Sequence, residues 1–113
     1  MTLRLEVAKA LGWVDEGHNF EWTSPNGYDR NIWDIPNWPH DETACFRDLV
    51  PKMTVSADRI EGYWNLSYDC NNVLPYLFEV VSFAGEVVTE VDASSPAEAI
   101  CKAFLEVMSK DEE

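Results

Sequence analysis

A chain of 113 residues, 46% of them apolar, is long enough to bury the core of one domain without disulfides or a structural metal. Its formal charge of −13, from 21 carboxylates against 8 Lys and Arg, repels phosphate backbones and anionic lipid, which argues against direct nucleic-acid or membrane binding. No run approaches the length of an apolar membrane span, no basic-then-apolar leader opens the chain, and three widely spaced cysteines suit a reducing cytoplasm better than a disulfide framework.

Thr2 caps a first helix whose apolar face is Leu3, Val7, Ala10 and Leu11, and Gly12 ends it in a left-handed conformation. Residues 13–40 hold Trp13, Trp22, Trp33 and Trp38 among Gly, Asn, Pro and acidic residues. Phe20 and Trp22 alternate with polar neighbours as in a short strand, and Ser24-Pro25-Asn26-Gly27 is a turn, which together predict a small hairpin or an aromatic-pinned loop. Ile35-Pro36-Asn37-Trp38-Pro39 is irregular, because each proline holds its predecessor extended.

A second helix follows over about Asp41 to Val50, capped by His40 or Asp41, with Ala44, Cys45, Leu49 and Met53 on one stripe and Pro51 ending or kinking it. Strands are expected over Thr54 to Ile60, Tyr63 to Tyr68, Leu77 to Ala84 and Val87 to Val91, the last two joined by Gly85-Glu86. The final helix has Ser95 as its cap, Pro96 in its first turn and Glu98 three residues after the cap. Behind that start, Ala97, Ile100, Cys101, Phe104, Leu105 and Met108 recur at helical spacing. The tail Lys110-Asp111-Glu112-Glu113 frays. The expected fold class is α+β: a single domain over residues 1–113 with an antiparallel sheet of about four strands and helices packed on it, in the order helix, Trp-rich loop or hairpin, helix, strands, helix.

Local motifs for chemistry are sparse. His18 and His40 belong to no ligand-spaced cluster, no Cys-x-x-Cys or His-Glu-x-x-His occurs, and Asp29 to Asp34 lacks the glycine and terminal Glu of a calcium loop. The five glycines form no phosphate cradle. The expectation is no catalytic set, no metal and no cofactor, with Cys70 beside either histidine as the one rival nucleophile pair. Cys45 and Cys101 fall on apolar helix faces and read as small hydrophobes.

Four motifs follow one another along the chain. They are Leu11-Gly12-Trp13, Trp22 with Pro25-Asn26-Gly27, Pro39-His40-Asp41-Glu42 opening a helix, and Pro96-Ala97-Glu98-Ala99-Ile100-Cys101-Lys102-Ala103. Their collinearity resembles the phage ABA sandwich family of small phage and prophage proteins. Pro51 and Ser94-Ser95 depart from that pattern. The resemblance implies an α/β/α-type sandwich and a viral origin, and it brings no catalytic residues.

Function is therefore expected in binding. The Trp-rich region either closes one end of the sheet as core or presents a hot spot. The candidate partner-binding residues are Asp15, Glu16, Glu21, Trp22, Tyr28, Asp29, Trp33, Asp34 and Trp38, an acidic and aromatic set in which residues 13–42 contribute only Arg30 as a cation. Such a set suits a host or phage protein with an Arg-rich surface. A sharper version is an anti-defence inhibitor that imitates nucleic acid on a basic groove. The rivals are a virion assembly role and a small cysteine-dependent enzyme. The oligomeric state is open.

Overall fold

Local capping starts and stops the first helix as its residues dictate. In the computed structural model, which describes residues 2–17, 20–54, 62–82 and 84–111, helix α1 runs Leu3–Ala10 with the Thr2 hydroxyl accepting the Leu5 N–H at 3.4 Å. At its other end Gly12 sits at φ +101°, and the Gly12 and Trp13 N–H groups return to the Lys9 and Ala8 carbonyls at 3.0 Å each. The buried face is Val7 and Ala8, with Leu3 and Leu11 half-buried; Ala10, expected on that face, is exposed.

A two-residue antiparallel ribbon comes next, β1 (Val14–Asp15) against β2 (Trp22–Thr23), with Asp15 opposite Trp22. The Ser24–Gly27 turn closes with Gly27 N–H on the Ser24 carbonyl at 2.9 Å. Short 3-10 turns occupy Ile32–Asp34 and Trp38–His40, so the stretch expected to be irregular contains one turn of helix at its end. Helix α2 (Glu42–Asp48) is capped by Asp41, whose carboxylate accepts the Ala44 N–H at 3.1 Å. It stops before Pro51, and α3 (Val50–Thr54) starts afresh with that proline in its first turn. The stripe Ala44, Cys45, Leu49 and Met53 is buried.

Among the described residues the main sheet has three strands in the order β3 (Tyr63–Tyr68), β4 (Tyr76–Val81), β5 (Val87–Ala93), all antiparallel. It is smaller than the expected four: Thr54 closes α3, and the rest of the fourth candidate strand, residues 55–60, lies outside the described residues. Gly62 lets β3 approach β4, because a Cβ at that position would collide with the Val81 carbonyl. Register places Trp64, Leu66 and Tyr68 on one face with Tyr76, Phe78 and Val80, while Asn65, Ser67, Glu79, Glu90 and Asp92 share the other.

Helix α4 (Pro96–Asp111) packs on β4 and β5 and carries α1, α2, α3 and the Trp38–His40 turn on its remaining sides. It is buried round most of its circumference: Ala97, Ile100, Cys101 and Phe104 are joined inside by Ala99, Ala103 and Val107. Its outward strip is narrow and polar: Glu98 half-buried, then Lys102 and Glu106 exposed, at successive turns. The α+β class is thus observed, but the described helices all stand on the same side of the sheet. The two-sided sandwich expected from the resemblance is not the observed arrangement, since the polar alternation along β3, β4 and β5 leaves the second face to solvent.

Candidate functional site

The Trp-rich region divides into core and surface. Trp38 is 2% exposed, with its indole N–H donating to Asp48 Oδ2 at 2.9 Å. Trp22 is 5% exposed, and Trp13 is buried above the end of α1. Trp22 and Trp38, named above as partner-binding candidates, are therefore corrected to core residues: each ring closes the hydrophobic interior and leaves almost no surface for a partner.

Trp33 is the opposite case, 71% exposed on the Ile32–Asp34 turn. Its neighbour is Phe20, 65% exposed, with ring centroids 5.7 Å apart. Phe20 was expected to share a strand face with Trp22. Instead it adopts φ +61°, which turns its ring out of the ribbon, and β2 starts only at Trp22. An aromatic residue in this region is strained by roughly 1–3 kcal/mol. The conformation is held by Ile32 N–H donating to the Phe20 carbonyl at 2.8 Å, which ties the ribbon to the Trp33 turn. On the far side Asn31 caps that turn, its side chain accepting the Trp33 N–H at 2.9 Å.

Arg4 completes the support. Its guanidinium reaches from α1 to the Ile32 carbonyl at 2.8 Å and the Ile35 carbonyl at 2.6 Å, anchoring both ends of the segment that carries Trp33. Nothing local in the sequence pointed to Arg4 or to Phe20 as part of this site. A cation facing two carbonyls some thirty positions away has no spacing signature, and the sign of a φ angle is not written in hydrophobic alternation.

Acidic residues flank the aromatic pair along the chain. Glu16 and Glu21 continue the ribbon toward Phe20, Glu16 N–H meeting the Glu21 carbonyl at 3.1 Å, and Asp34 follows Trp33 directly. Glu16 is partly engaged by the Thr23 hydroxyl at 2.8 Å, and Asp15 accepts the Gly17 N–H at 2.9 Å. Tyr28, 88% exposed, and Asp29 lie past the other end of β2, in the loop where Ser24 Oγ accepts the Asp29 N–H at 3.1 Å. The nine candidates thus resolve into an acidic aromatic knob of Glu16, Glu21, Trp33 and Asp34, joined by Phe20, with Asp15 opposite Trp22, Tyr28 and Asp29 apart, and two tryptophans inside.

The titratable groups that depart from ordinary behaviour serve structure. The Arg47 guanidinium, 2.8 Å away, holds the Asp48 carboxylate below its ordinary value, and the Trp38 N–H adds to that. Hydrogen bonds from Lys102 and then Ser94 lower Glu98. Cys101 lies 3.9 Å from Cys45, sulfur to sulfur; that hydrogen bond and burial push its thiol far up, away from thiolate chemistry. Cys70 is exposed in the turn between β3 and β4. Among the described residues no group of three His, Cys, Asp or Glu is arranged to hold a metal ion. A cleft of about 430 Å³ opens between Trp13, Pro25, Pro36 and Trp38, and its Arg47 and Asp48 bond each other.

Among the described residues no helix is long and apolar enough to cross a membrane. Compared with protein-family models, curated proteins and solved structures, the chain matches none.

Proposed function

We infer that this is a non-catalytic protein-binding module that engages an arginine-rich protein surface through the Phe20–Trp33 knob. The observation carrying this reading is a pair of exposed aromatic rings in tilted contact, one of them on strained backbone, each next in the chain to a carboxylate residue. Large rings left in water cost hydrophobic free energy, and a positive φ at Phe20 costs more; a binding role accounts for both. Arginine fits the combination best, because its guanidinium stacks on aromatic faces and pairs bidentately with carboxylates.

The chain's charge of −13 extends the same logic, drawing a basic partner in from a distance. A basic nucleic-acid groove on a host immune complex is the sharper form of that partner, with the acidic surface standing in for phosphates. The resemblance to phage ABA sandwich proteins supports a phage-encoded accessory protein working in host cytoplasm. It remains part of the proposal.

Titration with a synthetic Arg-rich peptide, followed by tryptophan fluorescence, tests the reading. Trp33→Ala is expected to weaken binding about tenfold, or roughly 1.4 kcal/mol, and raised salt is expected to weaken it further. Phe20→Gly is expected to weaken binding while stabilising the fold by about 1 kcal/mol, since glycine adopts positive φ freely. Peptide binding that is unchanged in both variants would reduce the effect to bulk charge and remove the knob from the proposal.

A further inference from the structure

The two outer edges of the main sheet differ in chemistry. β5 carries Glu90 and Asp92 and a register break opposite Val80 and Val81, devices that keep a second strand from docking. β3 carries none of them. It reads Tyr63-Trp64-Asn65-Leu66-Ser67-Tyr68, free of charge, Pro and Gly, and runs in unbroken register along β4. Among the described residues no strand pairs with its outer edge.

Backbone polarity along that edge follows from one bond. Asp69 N–H donates to the Pro75 carbonyl at 2.7 Å, continuing the register Tyr68↔Tyr76. Odd-numbered residues of β3 therefore exchange ladder bonds with β4, and the antiparallel alternation aims the N–H and C=O of Trp64, Leu66 and Tyr68 at the open edge. The side chains of the same three residues lie on the helix side of the sheet. There Trp64 lies between Phe46, tilted against it at 5.3 Å, and Phe78, stacked on it at 5.8 Å, and Tyr68 packs on Tyr76 at 4.9 Å. Trp64 is nevertheless 40% exposed and Tyr68 62%, because α4 covers β4 and β5 and stops short of β3.

We propose that β3 pairs antiparallel with β3 of a second copy about a two-fold axis at Leu66, joining two three-stranded sheets into one. This register sets Leu66 against the partner's Leu66 and Trp64 against the partner's Tyr68, so outward-facing backbone groups meet their like and aromatic rings meet across the strands. Asn65 faces the partner's Ser67 on the polar side. The rings are already held by Phe46, Phe78 and Tyr76, which lowers the ordering cost of association.

Charge selects a second copy over a foreign strand. Two molecules of charge −13 each can approach only where neither presents carboxylates, and β3 is a neutral six-residue edge in a chain with 21 of them. A basic partner drawn by the chain's field would gain nothing from a neutral edge. The sign of the salt response follows: screening relieves like-charge repulsion, so raised salt tightens this association, whereas it loosens the binding of an Arg-rich partner at Phe20 and Trp33.

Sedimentation equilibrium from micromolar to sub-millimolar protein, at low and high salt, is paired with amide hydrogen exchange on the same samples. The expected result is a doubling of mass favoured by salt, with the Trp64, Leu66 and Tyr68 amides slowing at least about tenfold as the dimer forms. Tyr68→Pro deletes one outward N–H without touching the β4 ladder and is expected to return the chain to monomer. Glu90→Gln on the opposite edge is expected to leave association in place. A monomer under every condition overturns the proposal, and so does a dimer in which those three amides still exchange fast.

Discussion

Trp38 and Trp33 stand five positions apart and do unrelated work: one ring is buried with a polar partner for its N–H, the other stands in solvent. The Trp38 N–H is bonded to Asp48, whose carboxylate Arg47 also holds. Trp38→Phe keeps an aromatic ring in the core but removes that donor, so it is expected to cost roughly 1–3 kcal/mol in urea unfolding. Trp33→Phe, at a ring in solvent, should stay within about 0.5 kcal/mol. The pair also has a pH signature. Asp48 titrates below its ordinary 3.8 in the folded chain, chiefly through the Arg47 hydrogen bond and further through Trp38. A depressed carboxylate contributes stability that is fully present above the unfolded value and is lost as pH falls through the folded one. The acid limb contributed by Asp48 therefore lies below pH 3.8, and Trp38→Phe should move its carboxyl titration upward when followed by NMR. No movement would detach the indole from the carboxylate.

Elements held by local capping were legible in the residues, and those held by distant contacts were not. Thr2, Gly12, Asp41 and Ser95 act within one turn of their own positions, and each is found at the helix end it was expected to mark; Glu98 N–H meets Ser95 Oγ at 3.2 Å. The Glu98 carboxylate, by contrast, turns from the expected capping box to the Ser94 hydroxyl and Lys102, because an ion pair at 2.7 Å competes for it. The period-two pattern of Trp64, Leu66 and Tyr68 was equally visible, but which edge of the sheet it formed depends on pairings with residues eight and more positions away. The apolar spacing of α4 marks one face; its second buried face, Ala99, Ala103 and Val107, is built of residues small enough to suit either surroundings. One buried group in the sheet carries a consequence of its own. Thr89 is 3% exposed, and among the described residues its hydroxyl has no hydrogen-bond partner. Thr89→Val keeps the shape and removes the unmet donor, so the variant should gain about 1 kcal/mol in thermal or urea unfolding. A loss of stability would mean the hydroxyl is satisfied.

At the scale of the whole molecule, the fold hangs on one helix, and its cysteines report whether the molecule opens as a unit. Cys45 on α2 and Cys101 on α4 are fully buried, with the Cys45 thiol donating to the Trp38 carbonyl at 3.0 Å. Neither can meet a reagent unless α2 leaves α4, and α4 cannot be uncovered without also parting from β4, β5 and α1. Cys70 is exposed in a surface turn and needs no opening. A small thiol reagent should therefore label one cysteine at once and the other two together, at a rate that climbs with urea along the global unfolding curve. Core substitutions elsewhere test the coupling. Phe78→Leu lies on β4, outside both cysteine-bearing helices, yet should quicken Cys45 labelling as much as Cys101 labelling. Cys45 reacting early and independently of urea would show that α2 and α3 detach on their own. In that case the Trp38–Asp48 contact would be a hinge between two parts of the molecule.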